Sequence, residues 1–381
     1  MNERKNIITI ILFAIVGVVI LAVAVAAGHV YMNNTAETYE ETMTAVEKVS
    51  ETSVVYDTET IDKFEKSDET EIIVPEETVE ANEADKRKLI EEEKNNIKEK
   101  LISLLTNDAP LKWAKSDVNP DEFVKVYPEL SFAYYDIDSG ESITYESEKV
   151  RYSASLIKAL YIYSVLSEIE EFENSATRDE NGGIVYDSAT KKYDLNEKWI
   201  YNSATMLAEG SGEIMNEQDG FELKWSELID YALLYSDNVA FAQLRERFGY
   251  TYFYKQMAEI GVHGIESGFM NLSVDDCVLF LRKLNDYFTS GSAYANHMKD
   301  CMARSKHLEI ICANYDEGMA AHKYGWDIGA FHDMAVVFDE HPYIIVIMTD
   351  YEDGGEEPIQ FIADVTGLVK EYHALKYSFI K

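Results

Sequence analysis

Residues 152–169 read YSASLIKALYIYSVLSEI, a small polar segment followed by an apolar run that predicts a buried helix beginning close to Ser155. Ser155 and Lys158 are three residues apart, so their side chains lie on the same helical face. A lysine at that distance can take the proton of the serine hydroxyl when burial or a nearby cation lowers the lysine pKa. The spacing therefore indicates a candidate nucleophile, Ser155, and its base, Lys158, although an ordinary surface helix has the same spacing.

A second polar motif, Ser236-Asp237-Asn238, lies between two predicted helices. The first has apolar residues at i, i+3, i+4, i+7 and i+8 from Trp225, and the second reads VAFAQLRERF and ends at Gly249. A loop between helices can hold Ser236 and Asn238 toward a cleft in a helical lobe. The same residue types also cap helices, so a simple helix connector is the alternative interpretation.

A third motif, Lys323-Tyr324-Gly325, lies on the first of three predicted carboxyl-terminal strands. A lysine there, with glycine two residues further on, lets a substrate lie along the strand edge. The backbone N–H of Trp326 would then pair with that of Ser155 in an oxyanion hole, which stabilises the negative charge that develops on a carbonyl oxygen.

Short aromatic and β-branched runs at both ends of the folded region predict the strands of an antiparallel sheet. These strands are expected at residues 130–135, 143–145, 322–326, 334–338 and 343–349. A last helix is predicted at about 358–375, and Ser273 with Asp276 caps an earlier one, whereas residues 170–198 form a polar excursion. The order indicates an α+β fold in which both chain ends supply the sheet and an all-helical lobe is inserted.

The motifs occur in the order Ser-x-x-Lys, Ser-Asp-Asn and Lys-x-Gly, the signature order of class A β-lactamases and penicillin-binding proteins. The folded region therefore resembles the class A β-lactamase-like serine hydrolases of that superfamily, with their β-lactamase/transpeptidase-like fold. The resemblance implies that Ser155 is acylated, that Lys158 accepts its proton and that Ser236 relays a proton to the leaving nitrogen. It also implies that Asn238 holds the substrate, that Lys323 binds its carboxylate, and that no metal or other cofactor takes part.

Two departures from the family pattern affect the expected chemistry. Tyr324 replaces the threonine or serine whose hydroxyl helps to bind the carboxylate, although we still expect Tyr324 and Gly325 to contact the substrate beside Lys323. Between Asn238 and Lys323 there is no Glu-x-x-Leu-Asn motif, and Glu266 is the nearest carboxylate that could activate the deacylating water. The resemblance therefore implies a serine hydrolase that forms an acyl-serine with β-lactam amides and deacylates slowly.

Two other functions fit the same residues. A D-alanyl-D-alanine carboxypeptidase or penicillin-binding enzyme of the cell wall would share the first half-reaction and act on peptidoglycan stem peptide. A weakly catalytic descendant would bind wall peptide or β-lactam as a sensor. The presence of Ser155, Lys158, Ser236 and Asn238 favours chemistry, whereas Tyr324 and the missing glutamate motif favour these two alternatives.

Residues 7–27 form an uncharged apolar stretch of 21 residues, IITIILFAIVGVVILAVAVAA, which has the length of a membrane-spanning helix. Arg4 and Lys5 precede it, so the positive-inside rule predicts a cytoplasmic tail at 1–6, a single-pass signal anchor in the cell membrane and an extracytoplasmic remainder. Small residues in A-x-A patterns near its end resemble a cleavage site, and a protein secreted after signal cleavage is the alternative.

The segment 28–85 is rich in Thr, Ser and Glu, contains few apolar residues and is predicted to be a disordered acidic spacer. Leucine and isoleucine return at turn spacing over residues 83–105. Residues 86–127 are therefore expected to hold a stalk helix or the first helix of the folded region, and the hydrolase domain is expected at 128–381.

The chain has 34 Lys and Arg against 70 Asp and Glu among its 381 residues, a formal net charge of −36. This charge argues against nucleic acid as a partner because a phosphate backbone requires a basic surface. Cysteines at positions 277, 301 and 312 form no C-x-x-C pair, so neither a disulfide framework nor a structural zinc site is predicted. The expected partners are a β-lactam or stem peptide and, through residues 7–27, the membrane.

Overall fold

The computed structural model describes residues 76–116, 122–206, 210–352 and 354–378, without the side chains of residues 76–82. The predicted tail at 1–6, the predicted membrane segment at 7–27 and the predicted spacer as far as residue 75 lie outside these ranges. Among the helices within them, none combines the length and apolar character that crossing a membrane requires.

The described ranges contain short strands and longer helices, numbered separately along the chain. The strands are β1 (Lys112–Lys115), β2 (Phe123–Val126), β3 (Leu130–Asp136), β4 (Ser142–Tyr145), β5 (Arg151–Tyr152), β6 (Lys198–Ile200), β7 (Glu222–Lys224), β8 (Asn271–Leu272), β9 (Ala320–Asp327), β10 (Ala330–Val337) and β11 (Tyr343–Thr349). The helices are α1 (Glu76–Thr106), α2 (Ile157–Ser175), α3 (Trp225–Leu234), α4 (Asn238–Phe248), α5 (Thr251–Ile260), α6 (Val274–Phe288), α7 (Ala293–Ala303) and α8 (Glu356–Tyr377).

The described chain forms two compact units. One consists of residues 76–96 and 375–378, and the other, Ile97–Ala374, contains the sheet, the helical lobe and the three motifs. Helix α1 begins inside the segment that was predicted to be disordered up to residue 85, because glutamate and lysine are good helix formers even where apolar residues are few. Ile97 and Leu101 are fully buried, so this end of α1 contributes to the core of the second unit.

The central sheet has five antiparallel strands in the order β4-β3-β11-β10-β9. Strand β3, from the beginning of the folded region, pairs with β11, from its end, with Ala133 opposite Val346. This pairing confirms an α+β sheet built from both chain ends. Every residue of β10 and β11 is buried, which explains why these strands read as continuous apolar runs and not as alternating ones.

The helical lobe lies between β5 and β9 in the chain and contains helices α2 to α7. Helices α3 and α4 confirm the predicted pair on either side of Ser236, and α4 ends before Gly249 as expected. The predicted capping box also forms, because the Asp276 N–H donates to Ser273 Oγ at 3.0 Å and the Ser273 N–H donates to the Asp276 carboxylate at 2.8 Å.

Three parts of this unit differ from the expectation. The hairpin of β1 and β2 and the helices α5 and α7 were not predicted. The excursion at 170–198 is less irregular than expected, because α2 continues to Ser175 and β6 begins at Lys198. Its middle packs onto the lobe, where the ring of Tyr193 stacks on that of Phe172 at 4.4 Å between centroids.

Candidate active site

Ser155 lies in a single 3-10 turn, Ala154–Leu156, immediately before α2. The residue before it, Ala154, has φ +45, a left-handed conformation that costs a non-glycine residue on the order of 1 kcal/mol and recurs at functional sites. The Ser153 N–H donates to the Met270 carbonyl at 2.7 Å and holds the turn from one side. Ser155 itself is half-buried, as an accessible nucleophile must be.

Gly325 holds the same turn from the other side. A Cβ at this position would lie 2.8 Å from the Ser153 carbonyl oxygen and 3.2 Å from the Leu156 nitrogen, so only glycine allows β9 to approach the turn this closely. The sequence predicted that Gly325 makes room for a substrate. In the structure, its missing side chain makes room for the backbone turn that contains Ser155.

Lys158 is buried one helical turn after Ser155, and its ammonium group points at the Ser-Asp-Asn loop. Its Nζ donates to the Ser236 carbonyl, to Ser236 Oγ at 3.1 Å and to Asn238 Oδ1 at 2.6 Å. Burial lowers its pKa to about 7; the charge of Asp237 opposes this shift, and that of Arg245 adds to it. An amine with this pKa is substantially neutral near pH 7 and can accept a proton.

The Ser-Asp-Asn loop both caps a helix and directs the side chains of Ser236 and Asn238 toward Lys158. Asp237 is the N-cap of α4, because its carboxylate accepts the Ala240 N–H at 2.9 Å, and it also accepts the Ile214 N–H at 2.9 Å. Ser236 has φ +54, so the chain turns sharply just before the cap. The cap thus positions its two neighbours, and Ser236 and Asn238 both reach Lys158.

Lys323 reaches Ser236 from β9. Its Nζ lies 3.0 Å from Ser236 Oγ and 2.8 Å from the Tyr324 carbonyl oxygen. The side chain is fully buried, and burial followed by the charge of Lys158 holds its pKa well below the usual range. The Tyr324 ring lies against the ammonium, 3.9 Å from ring centroid to Nζ, and the Tyr324 hydroxyl donates to the Tyr235 carbonyl at 3.3 Å. Burial raises the pKa of Tyr324 to about 12, so its phenol stays neutral.

Two cavities meet at Ser155, and each takes its name from the motif residue beside it. The Lys158-side cavity has about 610 Å³ and is lined by Tyr152, Ala154, Ser155, Lys158, Gly210, Ser211, Asn238, Phe241, Ala242, Arg245, Met270, Trp326 and Asp327. The Ser236-side cavity has about 540 Å³ and is lined by Ser155, Gly210, Ser211, Gly212, Glu213, Tyr235, Ser236, Lys306, His307, Tyr324, Trp326, Asp327, Ile328 and Glu352. Ser155 and Trp326 line both, as an oxyanion hole built from their N–H groups requires.

Among the described residues, Asp327 is the only carboxylate that lines the Lys158-side cavity, and it accepts a hydrogen bond from the Tyr152 hydroxyl at 2.8 Å. Glu266 lines neither cavity. Its side chain is 75% exposed and lies 3.0 Å from His263 Nδ1. The suggested replacement for the missing glutamate is therefore not at the site. Lys323 also lines neither cavity, because it is buried behind Tyr324.

Several residues at the site were not identified from the sequence. Arg245, on α4, lines the Lys158-side cavity and has its guanidinium carbon 4.6 Å from the centroid of the Phe241 ring. Lys306 and His307 follow α7 and reach the other cavity because the Lys306 N–H donates to the Leu234 carbonyl at 2.9 Å. No short motif marks these residues, since Arg245 and the Lys306-His307 pair reach the site from segments far apart in the chain.

A family model described as the β-lactamase enzyme family matches residues 184–373, which include the second and third motifs and begin after Ser155 and Lys158. No curated protein sequence matches the chain.

Solved structures with the same fold are similar over most of their length. PBP-A has a TM-score of 0.55 and 18% identity, with 74% of this chain and 96% of that chain covered. A class A β-lactamase from Mycobacterium abscessus has a TM-score of 0.54 and 19% identity, with 73% and 99% covered. A mutant of PBP-A, also 18% identical at a TM-score of 0.55, with 74% and 97% covered, was solved as an acyl-enzyme complex with penicillin G. At these identities the likeness shows a shared fold.

Proposed function

Because residues 184–373 match the β-lactamase enzyme family and the fold is that of β-lactamase-like serine hydrolases, we propose that Ser155 attacks the amide carbonyl of a β-lactam and forms an acyl-enzyme that hydrolyses slowly. The observation that carries the proposal is the buried Lys158, whose pKa is lowered to about 7 and which lines the same cavity as Ser155, the residue three positions before it in the chain. A neutral amine in that position supplies the base that a serine hydroxyl needs before it can react.

In the acylation step, neutral Lys158 takes the proton from Ser155 Oγ while that oxygen forms a bond to the carbonyl carbon. The backbone N–H groups of Ser155 and Trp326 receive the negative charge that moves onto the carbonyl oxygen. When the tetrahedral intermediate collapses, the C–N bond breaks and the leaving nitrogen must gain a proton.

Ser236 supplies that proton. Its Oγ lies 3.1 Å from Lys158 Nζ and 3.0 Å from Lys323 Nζ, so it can give its own proton to the nitrogen and take one from a protonated lysine. The proton that Lys158 removed from Ser155 thereby returns to the product, and the site is left with an ester at Ser155.

Deacylation requires a second activated nucleophile, a water molecule. Among the described residues, Asp327 is the carboxylate nearest to this task in the Lys158-side cavity, and its hydrogen bond from Tyr152 occupies one of its oxygens. This supports slow hydrolysis of the ester and a protein of penicillin-binding type, in preference to a rapid β-lactamase.

The test is intact-mass analysis of the full chain, purified in detergent, after mixing with penicillin G. Penicillin G is the probe because the PBP-A mutant forms an acyl-enzyme with it. We expect one adduct of the mass of intact penicillin that persists for minutes and is absent in Ser155→Ala. The control is Ser164→Ala, which removes a buried hydroxyl on the same helix that donates to the Leu160 carbonyl. An adduct that clears within seconds would contradict slow deacylation, and the absence of any adduct would contradict the proposal.

A D-alanyl-D-alanine carboxypeptidase is the second candidate, because the acylation machinery suits any amide and, among the described residues, the Lys158-side cavity has only the carboxylate of Asp327, which Tyr152 engages. The measurement is release of D-alanine from a stem-peptide analogue that ends in D-Ala-D-Ala. Release that depends on Ser155 would favour this candidate. A lasting penicillin adduct without D-alanine release would favour the third candidate, a sensor of β-lactam or wall peptide.

We further propose that residues 7–27 anchor the protein in the cell membrane with the hydrolase domain outside. The support is the sequence, in which 21 uncharged apolar residues follow Arg4 and Lys5. Protease added to intact cells should digest the carboxyl-terminal part of an anchored protein. Recovery of a shortened chain from the medium would instead indicate signal cleavage.

A further inference from the structure

Three side chains of different chemistry converge between helices α3 and α7, away from the residues that line the cavities at Ser155. Asp230 comes from α3, and His297 and Cys301 are one turn apart on α7. His297 Nε2 lies 2.5 Å from Asp230 Oδ1 and 3.8 Å from Cys301 Sγ, and Sγ lies 3.6 Å from Asp230 Oδ1. All three ligand atoms lie within 4.8 Å of one another.

These separations are close to those of a tetrahedral metal site. Zinc bonds of about 2.0 Å to nitrogen or oxygen and about 2.3 Å to sulfur place the ligand atoms about 3.3 to 3.6 Å apart. The two distances to Cys301 Sγ already fit this range within a few tenths of an ångström. The contact between His297 and Asp230 would have to lengthen, and both side chains are partly exposed.

The surroundings also suit a cation. Cys301 is 1% exposed and closes the inner side, whereas 47% of the His297 side chain is exposed, which leaves solvent access for a water as fourth ligand. Arg304, which follows α7, already pairs with the carboxylate of Asp300. The chain carries a net charge of −36, which favours cations generally.

We propose that Asp230, His297 and Cys301 bind a zinc-class divalent transition-metal ion. A thiolate and an imidazole together select zinc and its neighbours over magnesium and calcium, which prefer oxygen ligands throughout. The sequence suggested no such site because its cysteines form no C-x-x-C pair, and Asp230 and His297 are 67 residues apart.

The ion would join two helices that lead to the Ser236-side cavity. Helix α3 continues directly into Tyr235 and Ser236, and α7 continues into Lys306 and His307. The carboxyl-terminal ends of the two helices are already in contact, because Ser305 Oγ donates to the Leu233 carbonyl at 3.1 Å. A metal ion one or two turns before the carboxyl-terminal ends of α3 and α7 would restrict the motion of the segments that line the Ser236-side cavity. It would take no part in the chemistry at Ser155.

The test uses the full chain after treatment with a chelator, titrated with Zn²⁺ by calorimetry and with Co²⁺ by absorption spectroscopy. We expect one ion bound per chain, a rise in Tm with Zn²⁺, and a thiolate-to-cobalt charge-transfer band. Cys301→Ser should abolish the band, and His297→Gln should weaken binding at least tenfold. Matched controls are Cys277→Ser, another buried thiol, and His341→Gln, which removes a histidine 2.7 Å from the Asp138 carboxylate without a neighbouring thiol.

Three results would overturn the proposal: no binding of either ion, a cobalt spectrum without the thiolate band, or binding that survives both His297→Gln and Cys301→Ser. Because His297 is half-exposed, His297→Gln should fold even if Cys301→Ser, at a buried position, does not. The Tm of His297→Gln in the presence of chelator shows whether that variant is folded. None of these readouts depends on penicillin, so the outcome is independent of the proposed acylation of Ser155.

Discussion

Lys158 and Lys323 approach one atom, Ser236 Oγ, at 3.1 Å and 3.0 Å. A hydroxyl can accept two hydrogen bonds and donate one, so Ser236 Oγ can accept from both amines and still has its own proton to donate. Burial lowers the pKa of both lysines, and the charge of Lys158 lowers that of Lys323 further. With its pKa lowered to about 7, Lys158 is substantially uncharged near neutral pH, which is the condition that the proposed general-base catalysis at Ser155 requires.

The first prediction concerns the pH dependence of acylation. Lys158 accepts a proton only when neutral, so the second-order rate of penicillin acylation should rise roughly tenfold per unit below pH 7 and level off above it. Intact-mass time courses between pH 5 and 9 measure this rate. Lys158→Arg keeps the positive charge but cannot act as a base, so it should lose about 10²- to 10⁴-fold in rate. A profile that is flat across pH 7 would contradict Lys158 as the base.

The second prediction concerns stability and the same lysine. The pKa of Lys158 is lowered on folding, so between about pH 7 and 10 the unfolded chain binds a proton that the native chain does not. The stability of the wild type should therefore rise with pH relative to Lys158→Met, by up to about 1.4 kcal/mol per pH unit. Denaturant unfolding at several pH values measures the difference. Lys255→Met, which removes an exposed lysine on α5, is the control.

The third prediction concerns the residue that departs from the family motif. The Tyr324 ring lies against the Lys323 ammonium, and its hydroxyl is engaged with the Tyr235 carbonyl. Tyr324→Thr supplies the hydroxyl of the family motif and uncovers Lys323, so we expect faster acylation by penicillin, on the order of tenfold. Tyr324→Phe is the control, since it removes only the hydroxyl. Equal rates for the two variants would show that Lys323 does not gain access to the substrate.

The fourth prediction concerns the carboxylate of the substrate. With Lys323 buried, Lys306 is the lysine that lines the Ser236-side cavity among the described residues, and it pairs with the Glu213 carboxylate. Lys306→Met should weaken the apparent Kd for penicillin several-fold, and Glu213→Gln should strengthen it, because the ammonium is then free for the substrate. Acylation rates over a range of penicillin concentrations separate the Kd from the limiting rate, which neither variant should change. Shifts of the same sign in both variants would contradict this role.

The fifth prediction concerns the turn that carries the nucleophile. A Cβ on Gly325 would lie 2.8 Å from the Ser153 carbonyl oxygen, so Gly325→Ala must displace either β9 or the turn. A displacement of about 1 Å at a reacting group costs about 100-fold in rate, so acylation should fall by that factor. Gly367→Ala on α8 is the matched control, because the nearest atom to its Cβ is 3.7 Å away and alanine favours a helix. Acylation by Gly325→Ala at the wild-type rate would show that the close approach has no role.

Sequence reasoning identified the fold class because each of its signals is local. Each signal depends on residues within a few positions of one another. The signals are the strand runs at both ends, the capping box at Ser273 and Asp276, and the helix end at Gly249. Helices α5 and α7 were missed because their sequences, TYFYKQMAEI and AYANHMKDCMA, mix aromatic, small and charged residues and depend on tertiary packing for their stability.

The order of the three motifs, with Ser155 and Lys158 on one helical face, was determined by the sequence alone. The meeting of Lys158 with Ser236, 78 residues away, and of Ser236 with Lys323, 87 residues away, was decided only by the tertiary structure. The tertiary structure also decided that Lys323 is buried behind Tyr324 and that Cys301 contacts Asp230. A pKa, a cavity or a cluster of ligands depends on distances and burial, and the packing of elements far apart in the chain sets both.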